Sequence, residues 1–403
     1  MSHTAIVPEP TAIRNYLLQH RLPLYFSKPV LAHVETYMTA ATAKGFRGKV
    51  TDLAEYSDCH RTTLGHFLAE GVWDEKVLQN KVKTESLAQI LATSKRTAEP
   101  LFVIHDDTIA QKTKPSSQAR FPIEQTGFHH SHLLGKVVWG HQVQATVLGC
   151  SDLSLIHSID LYDKAFTHPD GSAYTKIDRV CDLAQTLPLP PHGGYCLVDS
   201  WFTCPRVMDA YAAAGYHVIG ALKTNRILYP QGIRVSIQDF AQHIRKEDVR
   251  LVTVNGSSYW MYRYEGALNG IDNAVVLLCW PKQAFGEPKA LRAFCCTDTT
   301  LETETIAAYY AKRWPIEIFF RQSQNNLGFD TYQVRSAKAF IRLWTLLAWT
   351  HLYCTVGLGY PCPFGEGLRS VRKQVQRDRL RFVYESAQKG IPFQAVCERF
   401  KIA

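Results

Sequence analysis

Between Tyr309 and Gln324, the side chains Tyr310, Arg313, Glu317, Arg321 and Gln324 recur at intervals of three, four and seven. Such intervals place them on one face of a helix, or of two short helices meeting at Pro315. The face carries one carboxylate between two guanidiniums, with a phenol at one end and an amide at the other. A carboxylate can hold a divalent metal ion, and Arg, Tyr and Gln side chains suit phosphate oxygens. That equipment points to phosphodiester chemistry on nucleic acid. Taken alone, Glu317 and Arg321 also read as an i,i+4 ion pair on a solvated helix.

Two more acidic positions follow short apolar runs. Leu101-Phe102-Val103-Ile104-His105 leads to Asp106 and Asp107, and Tyr195-Cys196-Leu197-Val198 leads to Asp199. Both runs have the length of buried strands, and strand ends offer a rigid frame with an open mouth. Lone aspartates there also cap turns. Carboxylates from three elements can converge on two Mg²⁺ ions, about 3.5–4 Å apart, which would activate an attacking hydroxyl and stabilise a leaving oxygen.

The elements that must position these groups can be read in order. Residues 1 to about 95 read as helical, and Val50 to Leu68 suggests two short helices with a tight turn. Leu53, Ala54, Tyr56, Leu64, Phe67 and Leu68 would face inward, leaving Arg61, Thr62, Thr63 and His66 outward, as in a helix-turn-helix. Strands are expected over 136–148, 153–162 and 216–222, with helices over about 174–186 and from Pro205 to Gly215. A β-rich stretch spans about 226–300, with turn signals at Asn255-Gly256 and Asn269-Gly270. Helical periodicity resumes near Thr303. Leu343 to Gly365 has no charged residue, but its polar and turn-forming residues favour a buried core helix over Ala337–Val356 rather than a membrane span.

The 403 residues suffice for two or three domains, and the net charge of +9 favours an anionic partner. Arg369 to Arg381 concentrates six cations against one anion, which fits either DNA contact or a solvated helix face. Eleven cysteines without a CxxC spacing fit reduced, buried thiols and indicate neither a disulfide scaffold nor a zinc ribbon. The N-terminus lacks the basic and apolar regions of a signal peptide.

The three segments together resemble the DDE transposases of bacterial insertion sequences. They are the strand with Asp106-Asp107-Thr108, then Val198-Asp199-Ser200-Trp201-Phe202, then Tyr310-x2-Arg313-Trp314-x-Ile316-Glu317-x2-Phe320-Arg321. The closest likeness is to the cut-and-paste group with a Tyr-Arg-Glu-Lys signature. Leu327-Gly328-Phe329-Asp330-x-Tyr332-Gln333-Val334-Arg335-Ser336 continues it, and the likeness covers roughly 100–355. The third motif is the specific one.

The resemblance implies an RNase H-like α/β catalytic domain with a mixed sheet, flanking helices and a β-rich insertion. It also implies an Asp106, Asp199, Glu317 site for two Mg²⁺ ions, with Mn²⁺ able to substitute. Asp106 is preferred over Asp107 because the ligand commonly stands two residues before a Ser or Thr, here Thr108. One departure matters: the signature lysine seven residues after the glutamate is Gln324 here, which brings no charge.

Expected DNA contacts are Tyr310, Arg313, Arg321, Gln324, Arg335, Lys338, Lys112, Lys114 and Arg61, with Arg342 on the same channel-lining stripe. His129, His130 and His132 read as a loop cluster suited to backbone or DNA contact. Trp260 and Trp280 fit core packing, with base stacking as the alternative.

The expected organisation is a helical DNA-binding domain (1–97), a catalytic core (98–225 and 301–356) interrupted by the β-rich insertion (226–300), and a basic helical tail (357–403). The expected activity is Mg-dependent cleavage and strand transfer at terminal inverted repeats. The partners are element ends and target double-stranded DNA, with a homodimer forming on DNA, in a bacterial cytoplasm and associated with the nucleoid. The alternatives are a DNA-binding relic without chemistry and a metal-dependent nuclease without strand transfer.

Overall fold

The structure, a computed structural model, describes residues 11–120, 122–131 and 134–400. It opens with α1 (Thr11–Gln19), α2 (Lys28–Thr42), α3 (Val50–Ala54), α4 (Arg61–Ala69) and α5 (Glu75–Thr97). Then follow β1 (Leu101–Gln111), β2 (Gly127–Ser131), β3 (Lys136–Cys150), β4 (Leu153–Tyr162), α6 (Lys176–Ala184), β5 (Gly194–Val198), α7 (Pro205–Ala213) and β6 (His217–Leu222). The β-rich stretch supplies β7 (Ile227–Leu228), β8 (Val235–Ser236), α8 (Ile237–Ala241), β9 (Arg250–Val254), β10 (Ser257–Leu268), β11 (Ile271–Pro281) and β12 (Arg292–Cys296). Helices close the chain: α9 (Thr303–Ala311), α10 (Pro315–Leu327), α11 (Ala337–Val356), α12 (Phe364–Gln388) and α13 (Phe393–Phe400).

One mixed sheet organises the molecule, in the order β2-β3-β1-β5-β6-β12-β11-β10-β7-β8, with β4 on β3 and β9 on β10. The pairs β1–β5 and β5–β6 are parallel, and β3 runs antiparallel to β1. The sheet passes from β6 to β12 without a break, so the β-rich stretch extends the core sheet directly. Flanking helices bury both faces, giving the mixed α/β arrangement that the sequence suggested.

The turn expected at Asn255-Gly256 forms, joining β9 to β10, with both residues taking positive φ. β1 differs from expectation more usefully. Asp106 does not follow this strand but lies inside it, because β3 stays paired with β1 from Phe102↔Gly149 to Gln111↔Gly140. Likewise His129 and His130 are not in a loop: they lie on β2, held against β3. His132 lies outside the described residues.

α11 takes the bounds its periodicity predicted and is buried along most of its length, including Trp344 and Trp349. Each such burial contributes about 1.5–3 kcal/mol or more. No helix among the described residues is long and apolar enough to cross a membrane. All eleven cysteines are unpaired, and all but Cys59 and Cys204 are buried.

The N-terminal helices dock on α11. Arg342, expected at a DNA channel, is instead fully buried and ties α11 to the α4–α5 connection. Its guanidinium donates to Glu75 Oε2 at 2.9 Å, to the Phe67 and Leu68 carbonyls at 3.1 Å and to the Trp73 carbonyl, over the Trp73 ring. A buried guanidinium needs every donor matched, and this strip of carbonyls matches it.

A second joint is made of main chain alone. Gly328 ends α10 in the left-handed conformation (φ 67°), and Gly48, just before α3, has φ 73°. Their backbones cross so closely that a Cβ on Gly48 would stand 2.6 Å from the Gly328 carbonyl oxygen. A Cβ on Gly328 would stand within 2.5 Å of Gly48 main-chain atoms.

Candidate active site

β1 and β5 set the first two carboxylates. In their parallel register Ile104 pairs with Leu197. Asp106 and Asp199 each lie two residues further on, so they emerge at the same level of neighbouring strands. Side chains alternate along a strand, so Asp107 points away from Asp106 and towards Lys176, while both line the same groove.

Asp199 fixes the turn after β5. Its Oδ1 accepts the N–H groups of Trp201 at 2.9 Å and Phe202 at 3.2 Å, and its carbonyl accepts the Thr203 hydroxyl at 2.8 Å. The expected capping role is real, and it occupies only one carboxylate oxygen.

The helical stripe divides at Pro315, which occupies the first turn of α10 where a missing N–H costs nothing. Tyr310 belongs to α9, Arg313 to the connecting turn, and Glu317, Arg321 and Gln324 to α10. α10 buries Ile316, Phe319, Phe320, Ser323 and Leu327, which sets Glu317 beside the sheet. Arg313 then joins two of the three acids: Nη1 donates to Asp106 Oδ2 at 2.8 Å and Nη2 donates to Glu317 Oε1. The surface pair of Glu317 with Arg321 is therefore not the one formed.

Burial pushes the Asp106 carboxyl up to about 6; Arg313 opposes that rise and the nearby charge of Asp199 adds to it. Burial likewise raises the Tyr310 phenol to about 12, with Arg313, Asp199 and Asp106 all near enough to act on it. Asp106, Asp199, Arg313 and Tyr310 thus share one electrostatic neighbourhood.

A groove of about 740 Å³ opens on the acids. Asp106, Asp107, Asp199, Gln324 and Asp330 line it, and Lys164, Lys176, His129 and His130 line it too as candidate phosphate contacts. Asp107 is engaged elsewhere: Lys176 Nζ lies 2.9 Å from its Oδ2, and Gln142 Nε2 also donates to it. Asp107 thus has its own cation in Lys176, as Asp106 has in Arg313.

The remaining expected contacts scatter. Arg321, Arg335, Lys338, Lys114 and Arg61 are exposed. Arg61 lines a separate cleft of about 300 Å³ with Lys49, Thr51, Thr62, Gln333 and Val334, where the α3–α4 pair meets the segment after α10. Lys112 turns inward, donating to the carbonyls of Asp330 at 2.6 Å and Tyr332 at 2.9 Å over the Tyr332 ring, with burial lowering it to about 8. Trp280 is buried, as core packing requires, whereas Trp260 is half-buried and its indole N–H donates to the Lys282 carbonyl near the surface.

Sequence reasoning missed Lys176 and the wall it belongs to. Its only sequence signal is the Thr175-x-x-Asp178 capping box that puts Lys176 at the start of α6.

The donor chemistry of Asp106, Asp199 and Glu317 suits Mg²⁺, which prefers hard oxygens. In this structure Arg313 is the cation between two of them. As they stand, no three acidic, His or Cys side chains among the described residues gather closely enough to hold a metal ion.

Comparison with known proteins identifies the family. A family model described as a transposase DDE domain matches residues 99–353, more than half of the chain. No curated protein matches it. The match takes in β1, β5 and α10, the elements that carry Asp106, Asp199 and Glu317, and the chain belongs to the family of transposases with a DDE domain.

Proposed function

We propose that the protein is an insertion-sequence transposase that cleaves DNA at the ends of its element and joins the freed ends to target DNA. The observation that carries this reading is the meeting of Asp106 and Asp199 at one level of two parallel strands, with Glu317 drawn to Asp106 through Arg313. Asp106, Asp199 and Glu317 are the proposed ligands of two Mg²⁺ ions. When bound, these would supply charge stabilisation for in-line displacement at phosphorus and lower the pKa of the attacking hydroxyl.

The chain's own groups have distinct tasks. Tyr310, Arg313 and Gln324 hold phosphate oxygens beside the acids, and Asp199 keeps the turn of the groove rigid. Lys176 neutralises Asp107. The helices before residue 98 grip the terminal inverted repeats, with Arg61 at the exposed start of α4. Lys114, Arg321, Arg335, Lys338 and the exposed basic face of α12 extend the phosphate-binding surface. Two copies act together on paired ends, at the bacterial nucleoid.

A labelled end fragment incubated with Mg²⁺ tests the reading. Asp106→Asn, Asp199→Ala and Glu317→Ala should each lower cleavage by about a hundredfold or more while the protein stays folded. Asp107→Asn should cost less than about tenfold. Near-normal cleavage by the Asp199 or Glu317 variant would remove the three-carboxylate site. Joined products in the wild-type reaction separate a transposase from a nuclease.

A further inference from the structure

The chain has eight tryptophans. Trp73, Trp280, Trp344 and Trp349 are buried, and Trp139 and Trp260 are partly so. The two that stand out into solvent are Trp201 and Trp314, at 49% and 54% exposure. An exposed indole forgoes the large apolar burial that tryptophan normally supplies, so its position calls for a partner.

Trp201 lies two residues after Asp199 and on the wall of the groove that holds Asp106, Asp199 and Gln324. It is held in place: Asp199 accepts its main-chain N–H at 2.9 Å, and the Lys176 ammonium stands 4.8 Å from its ring centroid. Lys176 is fixed in turn by Asp107 at 2.9 Å. The indole therefore has an anchored backbone and a cation oriented against its ring. Ring surface remains open to the groove, which Lys164 also lines.

We propose that Trp201 is a stacking platform for an unpaired nucleobase beside the phosphate taken by the acidic site. This rests on reading the groove as the DNA site, and it narrows the substrate there to a locally single-stranded end. The reason is geometric. Bases in a duplex are stacked on one another and offer no free face, whereas an unpaired base offers one to any exposed aromatic, whatever its sequence. Lysines beside the ring meet the phosphates on either side of that base. Trp314 is equally exposed but does not line the groove, which makes it the internal control.

The test uses the full-length protein without divalent metal, so that no strand is cut. The probe is a single-stranded oligonucleotide carrying one 2-aminopurine, a base that fluoresces when free and is quenched when stacked. Wild type and Trp314→Ala should quench it strongly, Trp201→Tyr partly and Trp201→Leu little. Trp201→Leu should bind the single strand about tenfold more weakly and the blunt duplex unchanged. Quenching and affinity at wild-type levels in Trp201→Leu overturn the proposal. Lys164→Gln separates the two layers of inference. If it weakens single-strand binding while Trp201→Leu does not, the platform falls and the groove stands. If neither weakens it, the groove is not the DNA site, and both fall.

Discussion

Arg313 spans two carboxylates that would repel each other in its absence, and its side chain is only 16% exposed. In such surroundings two like charges a few ångströms apart are costly, and one guanidinium fork with two donors relieves both. Gln324 faces the same groove without charge. Gln324→Lys should steepen the dependence of DNA affinity on salt by about one phosphate contact. An unchanged slope would mean that the new ammonium pairs with Asp330 on the groove wall rather than with DNA. The residues that were legible in the sequence were those whose motif is local. Tyr310, Arg313, Glu317 and Gln324 lie within 15 positions, and Asp106 and Asp199 each follow a short apolar run. The bond from Lys176 to Asp107 crosses 69 positions and that from Lys112 to Asp330 crosses 218. No spacing rule reaches so far, so Lys112 read as a phosphate contact and Lys176 was not singled out.

At the scale of elements, α11 was readable because its own residues determine it: a long apolar stretch with a serine that accepts the Ala339 N–H at its start. The end of β1 was not, because a strand stops where its partner stops, and β3 continues past Asp107. The same reasoning explains Arg342. Its place seven and four residues along from Arg335 and Lys338 suggests a surface stripe, but the α4–α5 connection covers it. Arg342→Leu should lower the free energy of unfolding by about 3 kcal/mol or more, since it removes the donor from Glu75 and from the Leu68 and Trp73 carbonyls, the Phe67 carbonyl keeping the Trp73 indole N–H. Urea titration measures this; a loss below about 1 kcal/mol would show that water replaces the guanidinium.

For the whole molecule, acid is the expected weakness. Burial holds His105 and His351 down at about 3 and His141 and His157 at about 4. All four are neutral in the fold, while in the unfolded chain they take up protons near pH 6.5. The unfolded state thus binds more protons, and stability falls as pH drops below about 6.5, levelling only below about 4 to 3. Each histidine contributes a slope of about 1.4 kcal/mol per pH unit within its window. Urea midpoints at about pH 7 and about pH 5 should differ strongly. His351→Phe should lessen the difference and keep the ring contacts with Phe364 and Phe319. Equal midpoints at both pH values would contradict these burial effects.

The crossing of Gly48 and Gly328 bears on how the sequence can change. At most packed contacts a larger residue on one side can be offset by a smaller one on the other, so lineages wander through pairs of substitutions. Here both partners are already the smallest residue, and both hold a conformation that other residues resist. No second change at the joint can rescue a first. The link between the α3–α4 pair and the helix of Glu317 is closed to gradual revision, and a suppressor of any change there must move one of the two segments as a whole.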